Sequence, residues 1–146
     1  LSDRDDLALL VLVADCLPVA LAGEGGIAML HCGWRGLAGG IIAEAAGRIG
    51  ATAAAVGPGI GPCCFEVGPE VCEAFRSHGD GVRHGNNLDL WQVAATELER
   101  AGVEAIEVAE VCTYCDEKRF FSHRRDHGVT GRQAGIVWPV GGRKGD

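Results

Sequence analysis

The chain has 146 residues, enough to bury a core of its own and within the size of one domain. Asp and Glu (20) outnumber Lys and Arg (13), and the net charge of −7 supplies no basic face for phosphate backbones, which excludes non-specific nucleic-acid binding. No apolar run approaches the length of a transmembrane helix and none reads as a signal peptide, so no membrane partner is expected.

Seven cysteines form an odd set without secretory context, which predicts reduced thiols and a cytoplasmic setting. Hydrophobic residues make up 47% of the chain but aromatics only 5%, so the core must rest on Ala, Val, Leu and Ile. The 23 glycines cluster in turns and predict tight loops approaching a site.

Leu7 to Val13 is an apolar run of strand length that ends at Asp15-Cys16. Pro18 to Ala22 extends again, Gly23-Glu24-Gly25-Gly26 turns, and Ile27 to His31 reads as a buried strand, giving a hairpin-like pair. Leu37, Ile41, Ala45 and Ile49 recur every fourth residue and predict one helix closing at Gly50. Ala53 to Val56 is a short strand that enters a Gly- and Pro-rich loop, 57–68, and Pro69 to Ser77 reads as a short helix with Pro in its first turn. Asn87 is the expected N-cap of a longer helix whose apolar face runs from Leu88 to Ala101, with Gly102 as its stop. Ala105 to Val111 and Ala134 to Trp138 return to strand, and 141–146 reads as a tail. Loosely alternating strands and helices predict an α/β or α+β layered domain over 1–140, a mixed sheet with flanking helices.

Chemistry concentrates first in Ala14-Asp15-Cys16-Leu17-Pro18-Val19 and His31-Cys32-Gly33-Trp34-Arg35-Gly36. Each block closes a strand-like run, so a thiol and an imidazole emerge side by side. That pair suits part of a zinc site or a cysteine nucleophile with a histidine base. The turn Gly33-Trp34-Arg35-Gly36 opens the expected helix, where Arg35 offers a planar donor to phosphate or carboxylate. The loop 57–68 reads as a cover over a pocket, with Phe65 and Glu66 as substrate contacts. The segment Phe120 to Asp126, with Thr130 to Gln133, gathers His123, Arg125 and Arg132 into an anion or substrate wall, with Arg125 and Arg132 equally readable as structural ion-pair partners. Cys63-Cys64 are adjacent and are set aside as ligands. Cys112-Thr113-Tyr114-Cys115 has zinc-knuckle spacing but no second Cys-x-x-Cys to complete a site, so it reads as ordinary loop cysteines.

Taken together, the blocks 14–19, 31–40, 57–68, Asp89-Leu90-Trp91, and Cys112 onward through Phe120-Phe121-Ser122-His123-Arg124-Arg125-Asp126 and Thr130-Gly131-Arg132-Gln133-Ala134 resemble the YfiH-like family, also called the laccase-domain or polyphenol-oxidase family. The resemblance runs in order over nearly the whole chain. It implies phosphorolysis of purine nucleosides (adenosine, inosine, guanosine, methylthioadenosine), adenosine deamination as a second activity, and a fold related to cysteine-hydrolase toxins of the cytotoxic necrotizing factor type. It also implies a zinc held by Cys16 and His31, with a third ligand from a Gln-Val-His-Gly motif. That motif is missing here: either this member has lost a ligand or the chain lacks its N-terminal part, and Leu1 in place of a starting methionine favours the second. The copper chemistry of the older name needs many histidines with His-x-His pairs. Five histidines without such a pair argue against it.

The expectation is a zinc-dependent purine nucleoside phosphorylase taking a nucleoside and phosphate. Cys16, His31, Arg35 and His123 would be catalytic; Asp15, Gly33, Trp34, Phe65, Glu66 and Arg125 would contact substrate. The rivals are a Cys16–His31 hydrolase or amidase, with cell-wall precursor editing as a variant, and a non-catalytic nucleoside-binding domain.

Overall fold

The computed structural model of the chain describes residues 1–140. The expected tail, 141–146, lies outside the described residues.

A four-stranded mixed sheet carries the fold. Its strands are β2 (Leu17–Gly23), β3 (Gly26–Cys32), β4 (Ala51–Val56) and β7 (Ala105–Val108), in the order β3-β2-β4-β7. The expected hairpin is present: β2 and β3 pair antiparallel with Leu17 opposite Cys32, Pro18 opposite His31, and Gly23 opposite Gly26. β4 pairs antiparallel with β2 and parallel with β7, Val56 lying opposite Val108. Parallel neighbours send their following loops off the same end of the sheet, and a cavity lined by Cys16 and His31 opens at that end.

One face of the sheet is covered by helices. α2 (Ile41–Ile49) packs on β2, β3 and β4, and α4 (Leu90–Arg100) packs on β4, β7 and α2. Val19, Leu21, Leu30 and Val56 meet Ile42, Ile49, Val93 and Leu98 in the core. Each fully buried aliphatic side chain stabilises the fold by roughly 1.5–3 kcal/mol. Phe75 is the largest fully buried side chain, in keeping with a core built from aliphatic residues.

On the other face lies an antiparallel ribbon of β1 (Leu9–Val13) and β8 (Gln133–Val137). It approaches so closely at Gly135 that a Cβ there would come within 2.6 Å of Pro18 and 2.5 Å of Met29. β1 alternates between half-buried and exposed positions up to Val13, leaving Leu10 and Leu12 more than half exposed.

Three local expectations are corrected. The helix expected to run unbroken from Leu37 to Ile49 is two: α1 (Trp34–Ala38) and α2. They are separated at Gly39 and Gly40, the latter at φ 77°. The apolar i,i+4 pattern passes through this break because Leu37 of α1 and Ala45 and Ile49 of α2 enter the same core, with Ile41 packed against it. The cap of α4 is Asp89, whose carboxylate accepts from Gln92 N–H at 3.0 Å; Asn87 and Leu88 instead form a short strand (β6) paired with Arg83–His84 (β5). The expected strand Ala105 to Val111 stops at Val108. The short helix after the Gly- and Pro-rich loop is α3 (Pro69–Ala74), with Pro in its first turn as read from the sequence.

Candidate functional site

A cavity of about 320 Å³ opens at the end of the sheet, lined by Cys16, His31, Trp34, Arg35, Phe65 and His123 among others. This is at the lower end of small-molecule pockets. Cys16 stands one residue before β2, and His31 occupies the next-to-last position of β3, so the hairpin register carries both to one rim. Gly33 follows directly. A Cβ at Gly33 would lie 2.9 Å from the Cys16 Sγ, so a glycine is what lets the chain turn into α1 over the thiol. The Arg35 guanidinium lies over the Trp34 ring, 4.4 Å from its centroid.

Asp15 is the joint that holds the cavity floor. It is buried, with 8% of its surface exposed, and sits at φ 86°, a conformation that Asp tolerates better than most side chains. Its Oδ1 accepts from the Thr113 hydroxyl at 2.7 Å and its Oδ2 from Arg124 N–H at 2.7 Å. Its carbonyl accepts from Ile60 N–H at 2.8 Å. Three distant segments are thereby tied to the residue preceding Cys16. The Asp15 carboxylate is spent on these bonds, so it shapes the cavity from behind.

The segment around His123 is a tight turn. Buried Ser122 accepts from Arg125 N–H through its hydroxyl, at 3.1 Å, and from Asp126 N–H through its carbonyl, at 3.1 Å. The turn directs His123 and Arg124 to the cavity and Arg125 away from it. Arg124 reaches across the opening, its guanidinium 5.4 Å from the Phe65 ring centroid and donating to the Glu66 carbonyl at 2.9 Å. Arg132 completes the lining.

Charge inside the cavity is opposite to that of the protein. Arg35, Arg124 and Arg132 line it, while the one carboxylate there, Asp15, is occupied. Burial and the adjacent Asp15 charge push the Cys16 thiol above its ordinary value, with Arg132 pulling the other way.

Of the residues singled out in the sequence, Asp15, Cys16, His31, Gly33, Trp34, Arg35, Phe65 and His123 come together around this cavity. Glu66 and Arg125 do not line it. Glu66 offers only its carbonyl, to Arg124. Arg125 is turned onto Asp126 at 2.9 Å and onto the carbonyls of Thr113, Tyr114 and Phe120 at 3.0–3.1 Å. Arg124, by contrast, lines the cavity and was not assigned a role from sequence. In a run of two arginines only the turn geometry decides which one faces in.

Zinc takes sulfur from Cys and nitrogen from His, and a catalytic zinc uses three protein ligands with an open position. Cys16 and His31 supply two donors of the right kind on one cavity. Among the described residues no cluster of three or more metal-binding side chains includes them. The one such cluster lies outside the cavity: Cys63, Cys64, Cys112 and Cys115, which the sequence had not joined, place all four sulfurs within 4.8 Å of one another.

A family model described as multi-copper polyphenol oxidoreductase laccase matches residues 1–140. The chain is 40% identical over 143 residues to the purine nucleoside phosphorylase YfiH of Escherichia coli (strain K12), covering 89% of this chain and 58% of that protein. A purine nucleoside phosphorylase of Xylella fastidiosa (strain Temecula1 / ATCC 700964) is 38% identical, with 89% of this chain and 56% of the relative covered. Among solved structures, Neisseria meningitidis protein NMB0706 superposes with a TM-score of 0.85 at 35% identity, over 95% of this chain and 63% of that one. YlmD from Geobacillus stearothermophilus superposes with a TM-score of 0.83 at 34% identity, over 93% and 58%. The chain thus spans a little under three fifths of the length of these curated relatives. Sequence, fold and family model agree, and the chain belongs to the multi-copper polyphenol oxidoreductase laccase family, the one that includes YfiH.

Proposed function

We propose that the cavity at Cys16 and His31 is the site of a purine nucleoside phosphorylase, with zinc as its metal and adenosine deamination as a second activity. The observation that carries this reading is the convergence of a Cys–His donor pair with three arginines in one cavity of an otherwise acidic protein. Purine nucleoside phosphorylase is also the name of the relatives above.

Phosphorolysis forms a bond between a phosphate oxygen and C1′ of the ribose as the bond from C1′ to the purine nitrogen breaks. The base leaves with the bonding electron pair and takes up a proton. Arg35 and Arg132 are suited to hold the phosphate, each charge-assisted hydrogen bond contributing about 1.5–3 kcal/mol. Trp34 and Phe65 line the space a purine would occupy, with Arg35 over one ring and Arg124 over the other, and His123 is placed to orient the substrate or to pass the proton. Zinc held by Cys16 and His31, two of the three protein ligands the resemblance implies, would supply Lewis-acid polarisation. The donor set counts against the copper of the family description, since a multicopper centre calls for a histidine-rich site.

A cysteine hydrolase with Cys16 as nucleophile and His31 as base is the other reading of the same pair, and it requires neither phosphate nor a metal. Phosphate-dependent release of hypoxanthine from inosine, compared with the Cys16→Ala variant, tests the choice. Release that needs phosphate and is lost in the variant supports the phosphorylase. Release that is equal in the variant, or indifferent to phosphate, overturns it.

A further inference from the structure

Outside the cavity, two loops that leave the same end of the sheet bring four cysteines together. The loop after β4 carries Cys63 and Cys64, and the loop after β7 carries Cys112 and Cys115. The loops extend the parallel pairing of their strands: Gly59 N–H donates to the Val111 carbonyl at 3.2 Å and Thr113 N–H to the Gly59 carbonyl at 3.0 Å. Each then turns. Cys64 N–H and Phe65 N–H both donate to the Gly61 carbonyl at 3.0 Å, and Asp116 N–H donates to the Cys112 carbonyl at 3.1 Å.

We propose that Cys63, Cys64, Cys112 and Cys115 form a tetrathiolate site for a divalent metal, zinc by its chemistry, which clamps these two loops and so positions the wall of the cavity. A tetrahedral ion with metal–sulfur bonds of about 2.3 Å places its four sulfurs roughly 3.8 Å apart. Here the Cys63 and Cys115 sulfurs are 3.6 Å apart, those of Cys64 and Cys115 are 3.4 Å apart, and no pair exceeds 4.8 Å. Two cysteines would suffice for a redox pair, whereas four converging sulfurs are the donor set of a structural metal site. The Gly61 N–H also donates to the Cys112 sulfur at 3.2 Å, a bond that favours thiolate over thiol.

Four thiols at this spacing cannot all ionise by themselves. A divalent cation removes that conflict and releases their protons as it binds.

The consequence reaches the cavity through two residues. Phe65, which follows Cys64, lines it, and Thr113, which follows Cys112, donates to Asp15 behind Cys16. The four cysteines do not line the cavity, so theirs is a positioning role.

Cobalt(II) titration of the whole reduced chain tests the site without reference to activity. The expected result is a set of thiolate-to-metal charge-transfer bands and an intense tetrahedral visible spectrum that saturate with one equivalent at the four cysteines, independently of any metal at Cys16 and His31, and are bleached by zinc. The spectrum persists in Cys16→Ser and is lost in both Cys115→Ser and Cys63→Ser, with circular dichroism showing that the variants fold. Bands that fail to appear, that survive in the two cluster variants, or that vanish only in Cys16→Ser would overturn the tetrathiolate site. None of these results bears on phosphorolysis, so this proposal and the enzymatic reading fail separately.

Discussion

The Thr113 hydroxyl donates to the Asp15 carboxylate at 2.7 Å across 98 residues of sequence, and both residues are buried. This bond joins the loop after β7 to the residue that precedes Cys16. Thr113→Val keeps the side-chain volume and leaves Oδ1 without its partner. The loss of a buried hydrogen bond to a charged group should cost roughly 1–3 kcal/mol. Urea denaturation should show a lower midpoint with an unchanged slope, and an unchanged midpoint would mean that the bond is not formed.

Gly33 tests the placement of the thiol separately from stability. In Gly33→Ala the new Cβ meets the Cys16 sulfur at 2.9 Å, and the thiol, at the end of its side chain, must shift. The fold should keep its melting temperature within a few degrees, since only that side chain has to move. Metal retention and base release should fall together. A variant with full activity would separate the thiol from the chemistry.

The arginines divide by task. Arg35→Ala and Arg132→Ala should each raise the KM for phosphate about tenfold or more, the worth of one charge-assisted hydrogen bond, and change the KM for inosine less. Arg125→Ala should behave differently, because Arg125 holds the Thr113, Tyr114 and Phe120 carbonyls and faces away from the cavity. Its effect should appear in thermal stability first. Steady-state kinetics with each substrate varied in turn distinguishes the two patterns.

Asp126 gives the acid limb of stability. The Arg125 guanidinium beside it, and the Thr130 hydroxyl at 2.7 Å, hold its carboxyl below the usual range. A carboxylate depressed in the folded state stabilises the protein above its unfolded pKa, and that contribution is lost as pH falls through the folded value. Asp126→Asn should lower stability at neutral pH and flatten the decline below about pH 4. Parallel curves for the two proteins would contradict the assignment.

Much of the site was legible in the sequence because it is built on a hairpin. Two apolar runs flanking Gly23-Glu24-Gly25-Gly26 fix the register, and the register alone brings Cys16 and His31 to one rim. The break at Gly39 and Gly40 was hidden because the apolar period continues through it. The cap of α4 moved to Asp89 because Asn87 is taken up by β6 and donates to the Pro62 carbonyl at 2.6 Å. The cysteine cluster was read as two unrelated pairs, since adjacency in one and the want of a second knuckle in the other are local criteria. The signal that joins them is topological: β4 and β7 are parallel neighbours, so Cys63, seven residues past Val56, and Cys112, four past Val108, leave the sheet at the same end.

The fate of the ribose tests the central claim most directly. Phosphorus NMR of inosine turned over in phosphate buffer should show ribose 1-phosphate appearing in step with hypoxanthine, with neither formed by Cys16→Ala. Free ribose, or sugar phosphate formed equally well by the variant, would contradict a phosphorylase built on the Cys16–His31 cavity.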